Sequence, residues 1–341
     1  MTAFRCGFAL SILCWFSTAF AQNTTAVENM ETITVPTFID VAHRGASGYV
    51  PEHTRASTVL AHGLDVDYIE QDVQLSRDGI PVVLHDLYLN RVSNVADVFP
   101  TRQRPDGHYY VVDFSLKELK QLSLKPRTKS DGELRYPDRF QPSSLVFPIQ
   151  TLAESISLIK QLNRTRNKNI GVYIEIKAPR WYHGQDYDAT AAVVEVLKEQ
   201  GYKDGEAPTK IYLQSFDPET LRRLKREFHI DYPLVQLIAD NSWNESGVDY
   251  DSLRTYAGME SLSAYADNVG VWLNHLLTGV EDNQPQWSDI LTHAKRTNLN
   301  VFVYTLRDDQ LPAGVTSLKQ LRDWLKKAGV TGAFSDFPDK K

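Results

Sequence analysis

From residue 38 onward, short runs of β-branched and other apolar residues alternate with segments of helical periodicity. Such alternation is typical of a parallel sheet, because each parallel strand pair needs a crossover connection. The runs predict nine strands, at Ile39–Ala42, Tyr68–Gln74, Val82–His85, Gly171–Ile176, Ile211–Gln214, Leu234–Ile238, Val269–Trp272, Val301–Thr305 and Ala333–Ser335. The periodic segments between them predict helices at Thr54–Gly63, Leu152–Leu162, Ala189–Gln200, Pro218–Phe228, Trp287–Thr297 and Leu318–Gly329.

At this length, the pattern favours an α/β fold of the (β/α)8 barrel type over a doubly wound open sheet. A barrel has eight strand positions, so one predicted strand is extra. We assign Val82–His85 as the extra strand, because too few residues separate it from Tyr68–Gln74 for a parallel crossover. We therefore expect an antiparallel hairpin after the second barrel strand.

The dipeptide Asp78-Gly79 is a strong signal for a two-residue hairpin turn. If these two residues form the loop, Arg77 pairs with Ile80, and Asp72 lies opposite His85. Directly opposed side chains have Cβ atoms about 4.5–5.5 Å apart. We therefore expect an imidazole beside Asp72.

One long segment, Leu87 to Phe147, interrupts the alternation; it is polar and aromatic and contains a helical patch at Ser115–Leu122. In a barrel it forms an insertion near the strand ends where chemistry occurs. Two interpretations stay open: a small cap over the site, or a surface excursion with no role in substrate choice.

The N-terminus has the pattern of a secretory signal peptide over residues 1–21, with Arg5, an apolar core at Phe8–Phe16 and the small-x-small site Ala19-Phe20-Ala21. The apolar run is short for a retained membrane anchor. We expect a mature chain that starts at Gln22, a disordered lead-in over 22–37, and one barrel domain over 38–341 with the insertion 87–147. The mature protein then works in the periplasm or is secreted, with no stable membrane insertion after cleavage.

Both cysteines, Cys6 and Cys14, lie inside the predicted signal peptide. The mature chain then has no disulfide, although its compartment would permit one. The formal net charge of −6 argues against a nucleic acid partner. The sequence leaves the oligomeric state open, a homodimer included.

Two clusters of charged residues fall on predicted strands. Glu70 and Asp72 are two residues apart in a strand, so both point to the same face. Adjacent carboxylates repel unless a cation lies between them, and carboxylate oxygens favour calcium or magnesium over zinc. Glu175 and Lys177 also share a strand face, and two interpretations stay open: they pair with each other, or Glu175 joins the metal site while Lys177 meets an anionic substrate.

Four motifs follow in order: His-Arg-Gly at 43–45, Pro-Glu-His-Thr at 51–54, Glu-x-Asp-Val at 70–73 and Pro-Val-Val-Leu-His-Asp at 81–86. In this combination the chain resembles the glycerophosphodiester phosphodiesterase family, and most of all its periplasmic bacterial branch. The resemblance covers nearly the whole mature chain. It implies a TIM barrel of the phospholipase C-like phosphodiesterase type with a small inserted cap.

The resemblance also implies roles for individual residues. It implies that Glu175 completes a metal site with Glu70 and Asp72, with calcium favoured and magnesium second, and that Lys177 meets the phosphate. The chemistry of the side chains adds three expectations: His43 and His85 act as acid and base, because imidazole titrates near neutral pH; Arg44 binds the phosphate; and Gln214 and Tyr304 line the substrate pocket. Trp272 and Tyr304 either pack against a glycerol group or belong to the ordinary core. Glu52 either orients Arg44 or supports the site from outside, and we interpret the closing Phe334–Pro338 motif as structural.

From the residues alone, the function reads as metal-assisted cleavage of a small phosphodiester. The resemblance implies glycerophosphodiesters such as glycerophosphocholine or glycerophosphoethanolamine, with glycerol 3-phosphate and an alcohol as products. Two alternatives stay open: a phospholipase-like or sphingomyelinase D-like lipid phosphodiesterase, and a non-catalytic surface-binding relative.

Overall fold

The computed structural model describes residues 1, 38–203 and 206–341. The signal peptide and the lead-in were predicted for residues that fall outside this part of the chain, apart from Met1. Among the described residues, no helix is both long and apolar enough to cross a membrane.

The strands β1 to β11 are, in chain order, Ile39–Ala42, Tyr68–Leu75, Pro81–Val83, Gly171–Ile176, Ile211–Ser215, Leu234–Ile238, Asn268–Trp272, Leu277–Glu281, Gln284–Trp287, Asn300–Leu306 and Gly332–Ser335. Eight of them pair in parallel in the order β1, β2, β4, β5, β6, β7, β10 and β11, and β11 pairs back onto β1. The closed ring confirms the predicted (β/α)8 barrel, with β3 as the extra strand.

The helices α1 to α12 are Arg55–Gly63, Val95–Val98, Leu116–Leu119, Leu152–Arg166, Pro179–His183, Ala189–Glu199, Pro218–Arg226, Tyr250–Leu253, Tyr256–Leu262, Leu273–Leu276, Ile290–Arg296 and Leu318–Ala328. Short 3-10 helices span Val111–Asp113 and Asn241–Trp243. The principal helices begin after residues whose side chains cap them. The hydroxyl or carboxylate of such a residue accepts a hydrogen bond from a backbone N–H that has no partner inside the helix. Thr54 caps α1 as predicted, and Thr151 forms a capping box with Glu154 at α4.

The β2–β3 hairpin has a different register from the predicted one. Gln74 pairs with Val82, and the Leu84 N–H donates to the Asp72 carbonyl, so Asp72 does not lie opposite His85. The loop has three residues, 77–79, rather than two. Gly79 has φ +74°, the left-handed conformation that closes three-residue hairpin loops. A slip of one residue changes which side chains are opposed. The strand β3 also differs from the predicted Val82–His85, because it begins at Pro81 and ends at Val83.

A second hairpin, β8–β9, falls where no strand was predicted. The helix predicted from Trp287 begins at Ile290, because Trp287 is the last residue of β9. The other predicted barrel strands agree with the structure to within one residue at each end, since their continuous apolar runs are those of strands buried on both faces.

Two apolar layers support the barrel. Its interior is filled mainly by aromatic rings, among them Tyr68, Tyr173, Phe302 and Phe334. Tyr173 packs edge-on against Phe302 and Phe334, with ring centroids 5.6 and 4.8 Å apart. A larger cluster fills the space between the strands and the surrounding helices. The packed interior fixes the ends of the strands that carry the polar side chains described below.

The insertion 87–147 packs around a second apolar cluster, which it shares with residues that directly precede and follow it in the chain. Its members are Val82, Leu84, Leu89, Val92, Val95, Tyr109, Val111, Phe114, Leu119, Leu122, Leu124 and Ile149. The predicted helical patch shortens to α3, which Ser115 begins through a capping box with Glu118. The insertion is therefore a folded unit that shares apolar side chains with β3.

Candidate active site

The nine residues predicted for the site lie together at the carboxyl end of the barrel. They line one cavity of about 640 Å³, and they are His43, Arg44, Glu70, Asp72, His85, Glu175, Lys177, Gln214 and Tyr304. Barrel enzymes place their chemistry at this end of the strands. The strand geometry therefore collects residues that are as much as 261 positions apart, from His43 to Tyr304.

Three carboxylates form an acidic cluster on neighbouring strands. Glu70 and Asp72 lie on β2, and Glu175 lies on β4 as the direct pairing partner of Asp72. One oxygen from each lies within 4.8 Å of the others, and all three residues are buried. An oxygen-only cluster of this kind suits calcium or magnesium.

Burial and, after it, neighbouring charges set the pKa values of the three carboxyl groups in the cluster. Burial, followed by the nearby Asp72 carboxylate, raises the pKa of Glu70 well above its usual value. Burial raises the pKa of Glu175 to about 8, although Lys177 lowers it in part. Burial alone would also raise the pKa of Asp72, but His85 and His53 outweigh it and that pKa lies well below its usual value.

Asp72 also shows that a cation fits the cluster. Its Oδ2 lies 2.7 Å from the His53 Nε2, which fixes the orientation of the carboxylate. Its Oδ1 is buried and has no hydrogen-bond partner among the described residues. A buried carboxylate oxygen without a partner is costly, and a divalent cation between the three carboxylates would satisfy it.

Lys177 joins the cluster to the rest of the cavity. Its Nζ lies 2.8 Å from the Glu175 Oε1, so the two side chains form an ion pair, as one of the two open interpretations has it. The same Nζ is 3.3 Å from the Glu245 Oε1 and 3.4 Å from the His85 Nε2. Both interpretations of this pair thus stay compatible with the geometry, since paired residues still face the cavity.

Arg44 is held by its backbone and by its side chain. Its N–H donates to the Glu70 Oε2 at 2.7 Å, and its Nη1 donates to the Glu52 Oε1 at 2.8 Å. The chain turns sharply here: Arg44 has φ +58° and Gly45 has φ +78°. A Cβ on Gly45 would lie 2.5 Å from the Ser57 Oγ, which explains the glycine of the His-Arg-Gly motif. Glu52 orients Arg44, one of its two predicted roles.

The two histidines have matching environments. His43 Nδ1 lies 2.6 Å from the Asp336 Oδ1, and His85 Nδ1 lies 2.5 Å from the Asp86 Oδ1. Burial, followed by Arg44, lowers the pKa of each imidazole to about 4. Because Nδ1 is engaged in both rings, Nε2 is the atom left to exchange protons with a substrate.

Sequence reasoning missed several residues that support the site. The closing motif was interpreted as structural, but its Asp336 holds His43 across 293 positions of the chain. His53 of the Pro-Glu-His-Thr motif was not assigned, and it holds Asp72. A readable signal existed for Asp86, which directly follows His85.

The opposite side of the cavity is less charged. Gln214, Trp272 and Tyr304 line it, together with Trp243 and Glu245. Tyr304 donates its hydroxyl to the Ile238 carbonyl at 2.6 Å, so only its ring faces the cavity. The rings of Trp243 and Trp272 have centroids 5.0 Å apart. Trp272 and Tyr304 therefore lie at the cavity surface rather than in the barrel core.

Comparison with known proteins places this geometry in a family. Residues 43–340 match the model of the glycerophosphoryl diester phosphodiesterase family. A glycerophosphodiester phosphodiesterase of Haemophilus influenzae is 38% identical over 323 residues, which cover 88% of this chain and 88% of that protein.

Solved structures agree. A crystal structure from Silicibacter pomeroyi has a TM-score of 0.65 at 20% identity, covering 89% of this chain and 92% of that one, and shows the shared fold. A phosphodiesterase from Oleispira antarctica, solved with the product sn-glycerol-3-phosphate, has a TM-score of 0.58 at 25% identity, covering 88% and 93%.

Proposed function

The chain belongs to the glycerophosphoryl diester phosphodiesterase family, and from that premise we propose that its cavity cleaves glycerophosphodiesters by metal-assisted acid–base catalysis with two histidines. Phosphodiesterase activity itself follows from the family and from the relatives that bear that name. The observation that carries the finer proposal is the placement of two imidazoles, each held at Nδ1 by a carboxylate, in the cavity of the acidic cluster.

The substrate is an anion, so the site must neutralise it before a nucleophile can approach phosphorus. Arg44 and Lys177 supply fixed positive charge at the cavity wall. Arg44 presents a planar guanidinium that suits two parallel hydrogen bonds to phosphoryl oxygens, whereas Lys177 acts as a point charge. Both are held by carboxylates, Glu52 and Glu175, so they are oriented before substrate binds.

The histidines move the protons. One accepts a proton from the attacking oxygen, which belongs to a water molecule or to a neighbouring glycerol hydroxyl. As the new P–O bond forms, the bond to the head-group oxygen breaks, and the other histidine donates a proton to that oxygen. Attack by the glycerol hydroxyl gives a cyclic phosphate, which water then opens. Both routes yield glycerol 3-phosphate and the free alcohol.

Glu70, Asp72 and Glu175 would hold the metal ion, and we favour calcium over magnesium. When bound, the ion supplies positive charge that stabilises the developing charge on the phosphoryl oxygens. Calcium tolerates irregular sets of oxygen ligands, whereas magnesium demands a near-octahedral set. A site in the periplasm or outside the cell, which the predicted signal peptide supports, would also meet calcium there.

The less charged side of the cavity suits a cationic head group. Quaternary ammonium groups bind against aromatic faces, with tryptophan the best. Trp243 and Trp272 offer such faces, and Glu245 adds a negative charge at the same side. These residues support glycerophosphocholine and glycerophosphoethanolamine as substrates.

The test is release of glycerol 3-phosphate from glycerophosphocholine by the purified protein, with calcium, with magnesium and with a chelator. We expect the chelator to abolish activity and calcium to restore it. Activity that persists in the chelator would contradict the metal site. Cleavage of intact phospholipid vesicles without cleavage of glycerophosphocholine would overturn the choice of substrate in favour of a lipid phosphodiesterase.

A second substrate separates the two histidines. A glycerophosphodiester with a nitrophenol leaving group needs no protonation of the leaving oxygen. We expect this substrate to restore turnover to the alanine variant of the acid but not to that of the base. Equal responses of His43→Ala and His85→Ala would contradict the division of roles.

A further inference from the structure

Each histidine contacts an aspartate, and that aspartate in turn contacts an arginine. Asp336 bonds His43 through Oδ1, and its Oδ2 lies 2.8 Å from the Arg139 Nη2. Asp86 bonds His85 through Oδ1, and its Oδ2 lies 2.7 Å from the Arg127 Nη1. Both arginines belong to the insertion 87–147 rather than to the barrel.

These contacts are buried. The side chains of Arg127 and Asp86 are 14% and 17% exposed, and those of Arg139 and Asp336 are 8% and 3% exposed. An ion pair out of water must be complete, because removal of one partner leaves an uncompensated charge. Burial alone would raise the pKa of the Asp86 carboxyl, but Arg127 and His85 outweigh it and hold that pKa well below its usual value.

We propose that Arg127 and Arg139 are positioning residues, through which the insertion fixes the orientation and tautomer of the two catalytic histidines. Each arginine holds a carboxylate in its ionised form, and the carboxylate accepts the Nδ1 hydrogen, so Nε2 is the nitrogen left for proton exchange at the cavity. The insertion thereby contributes to the rate. This proposal rests on the proposed roles of His43 and His85.

The contacts behind His43 and those behind His85 differ in how many arginines they include. Asp336 keeps a second cation, because the Arg307 Nε lies 2.9 Å from its Oδ2. Asp86 has no arginine or lysine partner other than Arg127 among the described ion pairs. Arg127 also grips Glu52 with two hydrogen bonds of 2.8 and 2.7 Å, and Glu52 holds Arg44. Loss of Arg127 should therefore cost more activity than loss of Arg139.

A purely structural role is the competing explanation, since the same pairs tie the insertion to the barrel. Arg104 provides a matched control: it lies in the same insertion and makes two bonds of 2.7 Å to Asp113, away from the cavity. Arg104→Gln removes an arginine–aspartate pair that is more exposed, at 33% and 27%, and leaves the contacts of both histidines intact. It should lower the melting temperature without changing kcat.

The experiment compares Arg127→Gln, Arg127→Lys, Arg139→Gln and Arg104→Gln in the full chain with calcium, using glycerophosphocholine. We expect Arg127→Gln to lower kcat by about 10- to 100-fold with KM within about threefold, because loss of an orienting partner removes alignment rather than binding. Arg139→Gln should lose less, and Arg127→Lys should recover part of kcat by returning the charge. If Arg127→Gln does not fold, Arg127→Lys and Arg139→Gln take its place, and a kcat equal to that of Arg104→Gln in both would overturn the proposal.

A double-mutant cycle separates the two explanations. Residues that act as one unit give non-additive losses, so Arg127→Gln should lower kcat by a smaller factor in the Asp86→Asn background than in the wild type, where it acts through both Asp86 and Glu52. Losses that multiply, or an Arg127→Gln kcat equal to that of Arg104→Gln, would overturn the proposal. Full activity in His85→Ala would instead overturn the proposed function, so the two failures are distinguishable.

Discussion

The two sides of the cavity differ in chemistry. The residues on or directly after β1 to β4 carry most of its charged groups; we call them the charged wall, and they are His43, Arg44, Glu70, Asp72, His85, Glu175 and Lys177. The other charged lining residues, Arg135, Glu245 and Arg307, lie in loops. The later strands β5, β6, β7 and β10 supply uncharged side chains; we call them the uncharged wall, and they are Gln214, Leu237, Trp272 and Tyr304.

The difference separates two tasks. Cleavage of a phosphodiester needs charge compensation and proton transfer, which only ionisable groups provide. Choice of the alcohol needs shape and aromatic surface, which tolerate more substitution. Changes in the charged wall should therefore lower kcat, and changes in the uncharged wall should alter KM and substrate preference.

The largest effect is expected from the histidines. His43→Ala and His85→Ala should each lower kcat by about 10²- to 10⁴-fold, because each removes one proton transfer. Both should melt within a few degrees of the wild type. The exposed His183 outside the cavity provides the control, and His183→Ala should keep full turnover. A His43 or His85 variant with near-normal kcat would contradict the assignment of the reaction to the charged wall.

Metal removal should destabilise the protein through the acidic cluster. An ion that binds only the folded state adds about 2.7 kcal/mol when its concentration is 100 times Kd. A chelator should therefore lower the melting temperature of the wild type but not that of Glu70→Gln, which keeps an oxygen for the Arg44 N–H. Equal shifts in both proteins, measured by calorimetry, would place the metal elsewhere.

The metal-free protein should also respond to pH through Glu175, whose pKa burial raises to about 8 from 4.5. A carboxyl whose pKa is raised on folding stabilises the folded state while it is protonated, and this contribution is lost as pH rises through the folded value. In chelator, the wild type should lose stability between about pH 4.5 and 8 relative to Glu175→Gln. A difference between the two melting curves that stays constant over this range would contradict the assignment.

Trp243, which packs against Trp272 of the uncharged wall, should affect substrate choice. Trp243, at the rim beside Trp272, is 42% exposed. Trp243→Ala should raise KM for glycerophosphocholine by about 2- to 5-fold, because an exposed cation–π contact is worth about 0.5–1 kcal/mol. KM for glycerophosphoglycerol, which has an uncharged head group, should stay the same. Equal changes in KM for both substrates would contradict the binding of a cationic head group by Trp243.

The sequence predicted the residues of the charged wall far better than the residues that hold them in place. Glu70 and Asp72 stand in a short motif on a strand and His85 in one that directly follows a strand, and the buried apolar runs of both strands are readable, so local spacing was enough to place the three residues in one cavity. The hairpin register was wrong by one residue because a two-residue turn was assumed where Gly79 closes a three-residue loop.

The missed residues depend on contacts that local patterns do not encode. Asp336 meets His43 only after the barrel closes β11 against β1. Arg127 and Arg139 lie in a polar insertion without periodicity, and only the folded insertion brings them to Asp86 and Asp336. Long-range pairing of charges is a property of the fold, and no spacing in the sequence reports it.

The smallest effect is expected from Tyr304, and it tests the comparison most sharply. Its hydroxyl donates to the Ile238 carbonyl, so the substrate meets the ring and not the oxygen. Tyr304→Phe should leave kcat and KM within about twofold and lower the free energy of unfolding by about 1 kcal/mol, the net worth of one hydrogen bond. A tenfold fall in kcat with unchanged stability would show that the hydroxyl takes part in the reaction. The uncharged wall would then take part in the chemistry. The rule that changes in the charged wall lower kcat while changes in the uncharged wall alter KM and substrate preference would fail at Tyr304.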